Sequence, residues 1–275
     1  MNVPPACVDL SLQPGGLRHE LFARPKVKNI KKGRPHYAKW SVYKMFNEKL
    51  EIYEKLWNDA ISAFERGEQQ IDPHLSDQTN DLRRGVTMVL RPSLSVRTKV
   101  KEYLDRLAQV CPEQYFYHPE ELHVTVLAII AGTEFWRTEI RQLVAYRAII
   151  SDVLSRQHSF KVSFRGVTAS PGSVIIQGFP MCDGLARIRN ELREAFARHG
   201  FGSLLDRRYK INTAHITAMR FHKPGADWKR LAPLLKEGRQ TNFGQTEVNS
   251  LQLIWGDWYA SANLVRTLQE YSLSV

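Results

Sequence analysis

No run in this chain approaches the roughly 18 to 20 consecutive apolar residues that a membrane-spanning helix needs, so a helical membrane protein is not expected. Cysteine is scarce: Cys7, Cys111 and Cys182 are too few and too scattered for a disulfide framework or a zinc site. Glycine-rich phosphate loops of the P-loop or dinucleotide type are missing. Nor do clustered carboxylates suggest a two-metal nuclease. The opening MNVPPACVDLSLQPGG lacks the basic-then-apolar order of a secretory signal. These absences lead to the expectation of a cytoplasmic protein with no metal and no cofactor.

What is present is enough for a core. Of 275 residues 43% are hydrophobic and 24% charged, ordinary for a globular chain. The net charge of +11 is unevenly placed. Residues 1–40 hold eight Lys/Arg against Asp9 and Glu20, and RPKVKNIKKGRPHYAKW (24–40) has seven cations and no acid. This basic N-terminal arm, 1–40, could draw a phosphate-rich partner through counterion release. It could equally be a solvated segment with no specific partner.

Residues 41–83 read as a long amphipathic helix and a connector. Val42, Phe46, Leu50, Tyr53, Trp57, Ile61 and Phe64 recur every three or four residues, with Ser41 suited to the N-cap and Gly67 to the stop. Such a stripe must be buried, against the body of the protein or against another chain. From residue 84 the pattern becomes strand, helix, strand, helix, strand, and then repeats. The strands fall at 84–92, 121–130 and 160–168, then at 173–179, 209–221 and 247–255. Helices fall at 95–110 (opened by Ser95), 138–156, 183–200 and 226–238. The offset between the halves is nearly constant, which indicates an internal duplication, with lobes of about 84–168 and 172–257 in a domain spanning 84–275.

The middle strand of each half carries the same interruption. His123-Val124-Thr125 and His215-Ile216-Thr217 each place an imidazole and a hydroxyl, two residues apart, in an apolar run. Nine His and twelve Thr in this length give fewer than one His-x-Thr tripeptide by chance. Side chains at i and i+2 of a strand share a face. If the halves oppose each other, both pairs project into one cleft. Two imidazoles across a gap suit phosphodiester chemistry without a metal. One removes a proton from the attacking hydroxyl or water, and the other delivers one to the leaving oxygen. The threonine hydroxyls would donate to the non-bridging phosphate oxygens.

Paired His-x-Thr strands in a duplicated α+β body resemble the 2H phosphoesterase superfamily, which includes RNA 2′,3′-cyclic phosphodiesterases also described as 2′-5′ RNA ligases. The resemblance covers about 84–257 and leaves the arm and long helix outside. It implies a bilobal α+β fold of two antiparallel sheets around a central cleft with outer helices, here with an N-terminal helical extension. It also implies metal-independent phosphoesterase action, with His123, Thr125, His215 and Thr217 as the site. The implied substrate is a 2′,3′-cyclic phosphate end of RNA or a related cyclic nucleotide.

Further candidates lie around the motifs. Tyr117 and Tyr209 each stand six residues before a motif histidine, where even spacing puts them on its face and lets them stack on a base. The plainer reading packs them at the sheet ends. Arg207, Arg208, Lys210 and Arg220 surround the second motif and could hold a phosphate. Two rival functions stand beside the enzyme. One is an RNA-binding module that keeps the cleft without turnover; the other is an interaction protein whose helix 41–67 docks a partner.

Overall fold

A computed structural model describes residues 35–275 except Arg208, with side chains from Lys44 onward. The expectation of a phosphate-rich partner for residues 24–40 falls mostly outside the described residues. Helix α1 runs Pro35–Glu65, starting six residues before the expected N-cap, so Ser41 lies inside it. Proline at a helix's first position loses no intrahelical hydrogen bond, and its fixed φ suits the turn. The stripe read from the sequence is the buried face. Tyr53, Trp57 and Phe64 are core residues, and Phe46 stacks on Phe179 with centroids 4.5 Å apart. The body of the same chain therefore takes up the apolar face, and a partner is not needed to cover it.

Apart from single helical turns such as Trp136–Glu139, the remaining elements are β1 (Arg84–Leu90), α2 (Leu94–Ala108), β2 (Tyr115–Phe116), β3 (Val124–Thr133), α3 (Leu143–Leu154), β4 (Phe160–Ser170) and β5 (Ser173–Pro180). After them come α4 (Gly184–Arg198), β6 (Ile216–Arg220), α5 (Trp228–Gly238), β7 (Asn242–Val248), β8 (Ser250–Gly256) and β9 (Arg266–Ser272). Helix α2 is capped by Ser93 rather than Ser95. The last expected strand is two, broken at Asn249, and β9 was not anticipated. No helix among the described residues is long and apolar enough to cross a membrane.

The strands form two antiparallel groups, β7-β4-β5-β6 and β3-β1-β8-β9, curled into one sheet. Helices α1, α2 and α5 cover the first group, and α3 and α4 pack on the second. One pair, Val124 with Ile216, joins β3 to β6. The free edge of β6 also takes β2, through Tyr115–Arg220 and Phe116–Met219. These groups do not follow the expected lobes. Strand β4, from the first half of the repeat, lies between β5 and β7. Strand β8, from the second half, pairs with β1. The chain changes groups between β7 and β8, at Asn249. Pairing partners are chosen by burial across the whole chain, which local periodicity does not record.

Candidate active site

Both motif strands begin one residue later than their histidines. His123 and His215 are the residues just before β3 and β6, so each sits at the point where chain enters the ladder. Val124 and Ile216, paired and fully buried, face the core. Their neighbours therefore face the opposite side, with His123 across from Thr217 and Thr125 across from His215 when the register is continued. In an undistorted ladder diagonal partners lie roughly 7–8 Å apart, a span that one phosphate fills. All four residues line one cleft of about 980 Å³, open mouth included. Its walls also include Tyr209, Arg220, Asp257 and Trp258.

The repeat is symmetric in sequence but not in hydrogen bonding. His123 Nδ1 lies 2.7 Å from the Glu121 carbonyl. A carbonyl only accepts, so Nδ1 carries the hydrogen and Nε2 is left for the cleft. Arg91 donates to the same Glu121 carbonyl at 3.3 Å. The equivalent partner of His215 is a side chain: Nδ1 lies 2.7 Å from Thr213 Oγ1, which can donate or accept. Burial, first, pulls both imidazoles down to about 4. For His123 the Glu121 carbonyl opposes that fall, while Arg91 and Arg220 add to it. For His215 the further causes are the charges of Arg189, His123 and Arg220.

The structure separates the two candidate tyrosines. Tyr209 is 58% exposed on the cleft rim, with its ring open to a ligand. Tyr117 also lines the cleft, but it is 4% exposed and packed edge-on against Tyr115 at 5.1 Å, so little of its ring is open to a base. Its hydroxyl instead accepts from Arg220 Nε at 2.9 Å. Arg220 is held further by Asp72 at 3.9 Å and lies over the Tyr259 ring at 5.7 Å, which fixes a cation in the cleft. Arg207 is engaged by Glu139 at 2.6 Å; Arg208 is outside the described residues, and Lys210 faces a different cavity. No three His, Cys, Asp or Glu side chains among the described residues converge as a metal ion would require.

Two supporting residues were not singled out from sequence. Arg189 of α4 is 3% exposed and, among the described residues, bonds to no carboxylate. Its guanidinium donates to the carbonyls of Val126 (2.8 Å), Thr125 (2.7 Å) and Thr213 (2.8 Å), clamping both motifs from behind. Burial, then Arg193, lowers it to about 10, which leaves it cationic at neutral pH. The signal was an arginine beside Ile188 on the apolar stripe of Leu185, Ile188, Leu192 and Phe196.

The second is Tyr53 of α1, fully buried. Its hydroxyl donates to the Gly178 carbonyl at 3.1 Å and accepts from the Gly178 N–H at 3.2 Å. It thus occupies the backbone groups that residue 214 would use if β5 and β6 stayed paired. Here lies the reason that β6 begins at Ile216 rather than at 209. A Cβ at Gly178 would come 1.8 Å from the Ala214 carbonyl oxygen, so only glycine fits. Burial raises the Tyr53 phenol to about 12, against the Gly178 backbone and the Arg189 charge, which lower it. By ending the ladder opposite Ala214, Tyr53 sets the path of the chain on which Thr213 and His215 meet. Tyr53→Phe should cost about 1–3 kcal/mol in urea unfolding, because a buried backbone pair loses its partner. It should also lower kcat and leave KM in place. An unchanged kcat with lowered stability would assign the hydroxyl to the fold alone.

The protein TT0787 of Thermus thermophilus aligns over 69% of this chain and 97% of its own, with a TM-score of 0.54 at 16% identity. The chain has the TT0787 fold. E. coli LigT, in complex with 3′-AMP, aligns over 70% of this chain and 99% of its own, with a TM-score of 0.46 at 15% identity. No family model matches the sequence, and no curated protein matches it. The match to TT0787 leaves about a third of this chain uncovered.

Proposed function

We propose that this chain is a metal-independent phosphodiesterase that opens 2′,3′-cyclic phosphate ends of RNA or related cyclic nucleotides. One observation carries the reading: the pairing of Val124 with Ile216, which sets both His/Thr pairs around one point in one cleft. His123 is the one assigned the imidazolium, because its Nδ1–H donates to the Glu121 carbonyl, which favours the charged ring. A second charge on His215 would stand against both Arg189 and His123. His215 is thus the base and His123 the acid. Water attacks phosphorus as His215 Nε2 takes its proton. The bond from phosphorus to one ribose oxygen breaks, and His123 gives that oxygen its proton. The product is a phosphate monoester, and solvent returns the two imidazoles to their starting states. Thr125, Thr217 and Arg220 hold the non-bridging oxygens, and Tyr209 stacks on the base.

With both imidazoles near 4, the free protein at neutral pH has its base ready and lacks its acid proton. A bound phosphate anion favours the imidazolium, so binding should raise the acid's pKa. The assay is a panel of 2′,3′-cyclic mononucleotides and cyclic-phosphate-ended RNAs, run with EDTA. Turnover is expected, and kcat should be bell-shaped in pH. Its alkaline limb should lie about a pH unit or more above that of kcat/KM, which reports the free protein. Coincident limbs would contradict the proton uptake, and no turnover on any member would end the proposal.

A further inference from the structure

Helix α1 brings more than Tyr53 to this region. A second cavity of about 620 Å³, open space included, lies between α1, α4 and the chain before β6. Its apolar side is the stacked pair Phe46 and Phe179 with Leu185, and its polar side is Lys49, Lys210, Arg189 and Arg193. Only Arg193 meets a carboxylate, that of Asp206 at 2.6 Å. Among the described residues neither Lys49 nor Lys210 has a carboxylate within ion-pair distance. Burial lowers the Lys49 amine, and the Arg189 charge adds to the effect. Lys49 and Lys210 thus face the cavity without an ion-pair partner among the described residues, beside an Arg189 already held by three carbonyls.

The cavity adjoins the cleft. Ile211 lines both; along the extended stretch before β6, Tyr209 faces the cleft and Lys210 faces the second cavity. Alternation of this kind is what an extended segment imposes. Aromatic faces interleaved with unpaired cations are the surface that single-stranded nucleic acid uses, bases on the rings and phosphates on the cations.

We propose that this cavity receives the RNA strand on the 5′ side of the end held in the cleft, making the substrate an oligonucleotide rather than a cyclic mononucleotide. The polarity follows from chemistry: a 2′,3′-cyclic phosphate is the 3′ end, so all remaining nucleotides extend 5′ from it. This rests on the reading of the cleft as the catalytic site. Lys49 contacts a backbone phosphate, Lys210 the one nearer the cleft, and the Phe46–Phe179 face carries a base.

The test uses the full chain with Lys49→Glu and Lys210→Glu, and Lys229→Glu, outside both cavities, as the control for net charge. Two readouts separate the two proposals. First, KM is measured for a cyclic mononucleotide and for cyclic-phosphate-ended oligonucleotides of two to eight residues. The wild type should show KM falling with length. Lys49→Glu should raise KM about tenfold for the longer substrates only, with kcat kept. Second, binding of a fluorescent RNA ending in a 3′-phosphate, which is not turned over, is followed by anisotropy against salt. Lys49→Glu should weaken it and reduce the salt slope by about 1, while Lys229→Glu should not. A KM independent of length together with binding indifferent to Lys49 overturns the second site and leaves the cleft reading intact. Lys49-dependent RNA binding without turnover of any cyclic phosphate leaves the strand path standing and refutes the catalytic reading.

Discussion

Alanine at His123 or at His215 is expected to lower kcat on a 2′,3′-cyclic phosphate by about 10² to 10⁴, with the unfolding midpoint held near wild type. Both rings face the cleft, and neither fills the core, so their removal should disturb chemistry far more than packing. The two variants should then separate on a diester with an aryl leaving group, such as bis(p-nitrophenyl) phosphate. p-Nitrophenolate leaves without a proton, so His123→Ala, lacking the acid, should keep most of the wild-type rate on it. His215→Ala, lacking the base, should stay slow on both substrates. The opposite pattern would exchange the roles, and near-wild-type rates for both variants would end the acid–base reading. The double variant should fall little below the worse single one, since the pair acts as a unit.

Arg189→Met should be the most damaging change outside the cleft. It removes one guanidinium and leaves three buried carbonyls, those of Thr125, Val126 and Thr213, without their donor. Hydrogen bonds to a charged group contribute about 1.5–3 kcal/mol each, so a loss of roughly 3 kcal/mol or more is expected in chemical unfolding. Catalysis should fall at least tenfold as well, because Thr125 and Thr213 are fixed by the same clamp. Arg189→Lys distinguishes charge from geometry. An ammonium keeps the positive charge behind the site but lacks the planar fork that spans three acceptors. If lysine restores neither stability nor rate, the fork is what matters. A restored rate would show that the charge alone suffices.

The features legible in the sequence are those written within a few residues. A His-x-Thr tripeptide states its own geometry, since i and i+2 on a strand share a face, and the repetition of the tripeptide gave both halves of the site. The stripe of α1 was legible for the same reason, as a period of 3.6. The structure adds what depends on distant partners. Tyr53 looked like one more stripe residue, and nothing local marks its hydroxyl as the group that ends the β5–β6 ladder. Tyr117 and Tyr209 share a spacing to their histidines, yet one is buried under Arg220 and the other open, because β2 pairs into the sheet and the chain around Tyr209 does not. Only the two motif strands start later than the pattern predicts, because buried residues continue upstream of the ladder, where Leu122 and Ala214 belong to no strand.

The crossing of the chain at Asn249 bears on how the molecule is made. Strand β1 is made long before its outer neighbour β8, with six strands between them in the sequence. Neither copy of the repeat can complete a sheet from its own residues, so the duplicated segment is not a self-sufficient unit of folding. A ribosome-bound nascent chain must hold β1 with one edge bare until β8 has emerged.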